Sequence, residues 1–106
     1  FRWCLENIIK NSVDAIEDKG TISIAVQNDS DHLCIYIKDN GKGMSKKLFK
    51  NIFEAGYTTK KRGWGLGLSL AKRIIEDYHL GKIKVLESKI NEGTTFEIRL
   101  NRFESI

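Results

Sequence analysis

Three clusters of polar residues and glycines, in a fixed order, carry the residue types that can do chemistry: Glu6-Asn7-Ile8-Ile9-Lys10-Asn11, Asp39-Asn40-Gly41-Lys42-Gly43 and Gly63-Trp64-Gly65-Leu66-Gly67-Leu68. Asn7 and Asn11 lie one helical turn apart, and asparagine is unfavourable inside a helix, so a pair of them invites a reason. An amide oxygen is a hard ligand suited to Mg²⁺, which keeps much of its water and takes few protein oxygens. Asp39 closes an apolar strand, and a carboxylate fixed there can accept from the exocyclic amine of adenine, a group guanine lacks at that position. Gly41 and Gly43 permit positive φ and let a ligand approach the backbone closely. Gly63, Gly65 and Gly67 open a helix, where free N–H groups and the positive end of the macrodipole suit phosphate.

Each cluster alone also has a plain structural reading: a solvated helix face, an Asp-Asn-Gly turn ending a strand, close packing at a glycine-rich turn. The third lacks the Gly-Lys-Ser/Thr ending of a Walker loop, and no parallel strand leads into it as a dinucleotide fingerprint requires.

The elements that must position these clusters follow from periodicity. Phe1, Leu5, Ile8, Ile9, Ser12 and Ile16 fall at helical spacing as one buried stripe, with Asn7, Asn11 and Asp14 on another face. Gly20 ends that helix. The alternation of 21–26 and the apolar run 33–38 then predict two strands of an antiparallel hairpin. Residues 41–65 mix glycines, lysines and a short amphipathic piece, 46–53, and predict a long, partly helical loop. Helical periodicity resumes over 66–78, Gly81 marks its exit, and strands over 82–86 and 94–100 are joined around Asn91-Glu92-Gly93. The expected fold is α+β, two long helices on one face of a mainly antiparallel sheet.

With 106 residues and 41% hydrophobic content, the chain fits one domain, 1–106. Its charge of +4 is concentrated in Lys42, Lys46, Lys47, Lys50, Lys60, Lys61 and Arg62, between two glycine motifs, which favours a nucleoside triphosphate over a nucleic-acid backbone. Cys4 and Cys34 have neither metal-ligand nor redox spacing and read as packed thiols in a reducing compartment. No stretch reaches the length of a membrane span, and the start, within an expected helix and without Met, suggests a portion of a longer protein.

Taken together, the order and spacing resemble the catalytic ATP-binding domain of two-component sensor histidine kinases, within the superfamily shared with gyrase, Hsp90 and MutL. Further matches are Phe49–Phe53 with Tyr57-Thr58-Thr59-Lys60, and Gly93-Thr94-Thr95-Phe96. The resemblance covers nearly the whole chain. It implies a two-layer α/β sandwich of the Bergerat (GHKL) type with ATP and Mg²⁺ as ligands and a mobile lid over about 44–62. It makes Asn11 the Mg²⁺ ligand, Asn7 a phosphate-side contact and Asp39 the adenine anchor. Gly41 and Gly43 shape the pocket wall, Gly63, Gly65 and Gly67 with Leu66 and Leu68 frame the hinge and phosphate turn, and Thr94 or Thr95 supports the adenine side. Thr59 and Lys60, with Lys61 or Arg62 as substitutes, would meet the phosphates from the lid; Lys60 is the choice for γ-phosphate neutralisation.

The gyrase-like branch carries a glutamate general base four residues before the metal-binding asparagine, and here that place holds Asn7. Glu6 is rotated from it by roughly 100°, so slow hydrolysis is expected. Where many members carry a base three residues after that asparagine, this chain has Asp14, leaving phosphate neutralisation to the lid. Trp64 is bulkier than the residues often found in the glycine box. The family's opening strand would lie before Phe1. His32 and His79 do not sit in a phosphoacceptor segment, so the acceptor histidine would belong to a separate dimerisation domain of the same parent, with a response regulator downstream. The domain is expected to be cytoplasmic and monomeric alone, in a dimeric parent whose membrane anchoring is decided outside these residues. Two alternatives use the same pocket: a serine kinase of the anti-sigma-factor type, and a nucleotide-gated interaction module.

Overall fold

The computed structural model describes residues 2–16, 19–28, 31–54, 67–78 and 81–101. The first helix, α1 (Arg2–Ala15), turns its i, i+4, i+8 positions Cys4, Ile8 and Ser12 into the core, each 0% exposed, while Leu5 and Ile9 pack at the edge of the same stripe. Burial pushes the Cys4 thiol up, as for a packed, neutral cysteine. Strands β1 (Ile22–Asn28) and β2 (His32–Asp39) form the expected hairpin, pairing from Ile22 with Asp39 to Asn28 with Leu33.

After two short 3₁₀ turns, Lys46–Leu48 and Asn51–Phe53, the described chain resumes in helix α2 (Gly67–Arg73), which widens into a π-helical segment, Ile74–Tyr78. Ala71 and Ile75, again at i, i+4, are fully buried. Strands β3 (Lys82–Lys89) and β4 (Gly93–Asn101) complete a sheet of order β1-β2-β4-β3 in which the described pairings are antiparallel. The β4 strand therefore returns between β2 and β3, and this crossover sets the end of β2 beside the start of β4.

Both helices lie on one face of the sheet, where Ile35, Ile37, Ile83, Val85, Phe96, Ile98 and Leu100 join Cys4, Ile8, Ala71 and Ile75 in one core. The opposite face is polar, with Lys84 Nζ 3.8 Å from Glu97 Oε1 across β3 and β4. On the edge strand β1, Ile24 and Val26 share the helix-side parity of Ile22 yet are exposed.

Ser12 is the polar member of the buried stripe, and its hydroxyl has no hydrogen-bond partner among the described residues. An unsatisfied buried hydroxyl is costly, and alanine is also the better helix former. Ser12→Ala is therefore expected to stabilise the fold by about 1 kcal/mol, raising the melting temperature by about 4–8 °C. A melting point that falls in a thermal scan would refute this.

Candidate functional site

The second cluster is built where β2, β4 and the β3–β4 turn converge. Asp39, the last residue of β2, is 2% exposed although it is a carboxylate, and it pairs directly with Thr94 of β4, itself 4% exposed. Side chains of directly paired residues project from the same face, and the parity of Ile37, Phe96 and Ile98 makes this the helix-bearing face. Asp39 Oδ1 accepts from the Gly41 N–H at 2.9 Å, which closes the turn after the strand. Asn40 points the other way, accepting from the Thr21 N–H at 2.9 Å and binding the turn to the start of the hairpin.

The loop that follows is zipped to the β3–β4 turn. Asn91 N–H donates to Lys42 O at 2.7 Å, and Met44 N–H donates to Ser88 Oγ at 2.9 Å. Gly43, with φ 66°, lies so close to Lys89 that a Cβ would overlap its carbonyl oxygen; Gly93, with φ 118°, stands likewise against the carbonyl of Asp39. Glycine at these places is required by both torsion and approach. Asn91, φ 67°, takes the left-handed position in the turn between them. A small cavity of about 170 Å³ opens at this end of the sheet, lined by Lys38, Glu87 and Thr95 as well as by Asp39, Ser88 and Thr94, and so by residues of both faces. Ligand pockets typically span about 300–1,000 Å³, so this hollow alone is not a nucleotide site.

Thr95 pairs with Lys38, one position out of phase with Asp39, and so projects from the opposite face. Of the two threonines, Thr94 thus shares the face of Asp39. The parity of Phe96, Ile98 and Leu100 already carried that information in the sequence. Ser88, which no sequence motif marks, pairs with Thr94 from β3 and reaches the same face.

On α1, Asn7 and Asn11 form the half-buried flank between the core stripe and the exposed face. Asn7 Nδ2 donates to Trp3 O at 3.0 Å, leaving its amide oxygen as the acceptor end. Glu6 is turned to the exposed side, where its Oε1 meets Arg2 Nε at 3.2 Å. The first part of the expected lid is fastened down: Ile52 is buried, and Phe53 stacks edge-on against Phe96 at 6.3 Å between centroids. Lys72 of α2 sits 5.6 Å from the centre of the Phe53 ring and pairs with Glu76 at 3.0 Å. Gly67 opens α2 and Leu68 packs at the core's edge. Thr59, Lys60, Lys61, Arg62, Gly63, Trp64, Gly65, Leu66 and His79 lie outside the described residues.

The family of histidine kinase-, DNA gyrase B- and HSP90-like ATPases matches residues 1–103. The chain belongs to this family. Among curated relatives, it is 44% identical over 95 residues to sporulation kinase E of Bacillus subtilis, covering 89% of this chain and 13% of that protein. It is also 44% identical over 101 residues to the histidine-protein kinase AtoS of Escherichia coli, covering 94% and 16%. The ATPase chain thus spans a small share of these relatives' length. The catalytic domain of histidine kinase ThkA superposes with a TM-score of 0.82 at 32% identity, over 93% of this chain and 65% of that one. The same kinase solved in complex with its response regulator TrrA superposes with a TM-score of 0.77 at 27% identity, over 93% and 27%. This is therefore a sensor-kinase-type ATPase domain of α+β architecture. None of its described helices is long and apolar enough to cross a membrane.

Proposed function

We propose that this domain binds Mg²⁺-ATP and transfers the γ-phosphoryl group to a histidine on a separate dimerisation domain of its parent. The observation that carries the reading is Asp39: a carboxylate 2% exposed, at the end of a strand in a family of ATPases, opposite Thr94 and held by Gly43 and Gly93, whose lack of side chains lets the aspartate loop and the β3–β4 turn close on each other. The donor set suits the ligand. Asp39 accepts from an adenine amine, Asn7 and Asn11 offer amide oxygens on the flank of α1, and Asn11 would take Mg²⁺ jointly with phosphate oxygens and water. When bound, Mg²⁺ supplies charge neutralisation between the phosphates. Lys60, with Lys61 or Arg62 as substitutes, adds positive charge where charge develops during transfer.

The protein's part is mainly positioning. Asn7 occupies the place from which a glutamate would activate water, and an amide takes no proton from water, so hydrolysis is slow. Transfer to an imidazole draws its base from the acceptor side. The parent would be a cytoplasmic-facing kinase acting on a response regulator.

The test is to mix the chain with the dimerisation domain of its parent and radiolabelled ATP. The expected result is acid-labile, alkali-stable phosphate on the acceptor, reduced at least about a hundredfold by Asn11→Ala. Acid-stable phosphate on a partner would point to a serine kinase instead. Partner binding that needs nucleotide but not transfer would point to a gated interaction module.

A further inference from the structure

The network around Ser88 fixes a proton. Its hydroxyl oxygen lies 2.8 Å from Gly93 O, 2.8 Å from Thr94 Oγ1 and 2.9 Å from the Met44 nitrogen. A hydroxyl has one proton to give and can accept two. Gly93 O can only accept, so its short contact requires the Ser88 proton. The Met44 N–H can only donate, so it takes one lone pair of Ser88. The contact with Thr94 is then a hydrogen bond in one arrangement alone, with Thr94 donating to Ser88. Every capacity of Ser88 is filled, and Thr94 is left with only its lone pairs to present elsewhere.

Thr94 stands directly opposite Asp39 on the helix-bearing face, where paired Cβ atoms lie about 4.5–5.5 Å apart. A group bound to Asp39 is thus within reach of Thr94. A carboxylate is an acceptor, and a threonine whose proton is held by Ser88 is also an acceptor. We infer that Ser88 is a specificity-positioning residue: by holding the Thr94 proton, it makes this wall accept from both sides, so the site favours a purine with a 6-amino group over one with a 6-oxo group. A free threonine would rotate and donate to the oxo group, blunting the distinction. The inference rests on the nucleotide-binding reading above and deepens it.

The experiment titrates the 106-residue chain with ATP and with inosine triphosphate, whose base carries oxygen where adenine carries the amine. The wild type should prefer ATP. Ser88→Ala should lower the ATP-to-ITP affinity ratio by about fivefold, whereas Ser88→Thr, which keeps the hydroxyl, should retain it. Thr94→Val should lower the ratio too, and adding Ser88→Ala to it should lower the ratio no further, because Ser88 acts through Thr94. If Ser88→Ala does not fold, Ser88→Cys replaces it, since a thiol fills the space but hydrogen-bonds weakly, with the same direction expected. A merely structural Ser88 would weaken both nucleotides by the same factor, and that result, or additive effects in the double variant, overturns the inference while leaving ATP binding intact. A folded wild type that binds neither nucleotide overturns the underlying reading and the inference with it.

Discussion

Replacing Asp39 by asparagine is expected to weaken ATP binding by at least about a hundredfold while leaving the fold in place. The two side chains have the same shape, so the change is one of hydrogen-bond polarity alone. Asp39 Oδ1 already accepts from the Gly41 N–H. If asparagine keeps its oxygen there, its NH₂ faces the purine amine and sets donor against donor. If it turns over, the NH₂ faces the Gly41 N–H and the turn after β2 loses its closing bond. Either orientation forfeits one charge-assisted bond and leaves a buried donor unpaired, each worth about 1–3 kcal/mol. With its oxygen kept toward Gly41, the variant also presents a donor to a 6-oxo group, so inosine triphosphate should lose much less than ATP. Calorimetric titration of both proteins with both nucleotides checks this, with circular dichroism as the control for folding. Unchanged ATP affinity in a folded variant would remove Asp39 from the adenine site.

Much of this site was legible from the sequence because it follows local rules. Asp39 ends an apolar run, and glycines mark the turn after it. Asn7 and Asn11 share a helix flank because four residues make about one turn. Ser88 was not legible, and the reason is a single residue. Ile83 and Val85 face the core opposite Ile98 and Phe96, but the register then slips, so that Glu87 meets Thr95 and Ser88 meets Thr94, with Leu86 as the extra residue. A strand read at period two would send Glu87 inward and Ser88 outward, or end at Leu86, as the apolar pattern suggested. The bulge reverses that parity and turns a serine toward Thr94. Ser12 shows the complementary gap: periodicity placed it in the buried stripe, yet no pattern tells whether a buried hydroxyl finds a partner.

The second large effect belongs to Gly93, because there the turn and the aspartate loop touch through backbone. At φ 118° a side chain is strained even in open space, and here a Cβ would overlap the Asp39 carbonyl oxygen and come within 2.8 Å of Asn40 Cα. Neither obstacle is a flexible side chain. Asp39 is held in the ladder with Thr94, and Asn40 is tied to Thr21. Gly93→Ala is therefore expected to cost about 3–5 kcal/mol, against a total stability of about 5–15 kcal/mol for such a domain. Gly43→Ala, at φ 66°, meets a milder torsion but the same kind of backbone obstacle at Lys89. Gly20→Ala is the informative comparison: its new Cβ would come within 2.5 Å of Asn40 Oδ1, the acceptor of the Thr21 N–H, and 2.8 Å of Ile16 Cγ2, so that hydrogen bond must give. Side chains rather than backbone move there and the torsion is ordinary, so it should cost less than Gly93→Ala. Urea unfolding of the three variants orders them. A Gly93→Ala protein as stable as the wild type would show that the β3–β4 turn can move away from Asp39. The short contact would then no longer be what holds the aspartate loop, and Ser88 with Asn91 would have to fasten it alone.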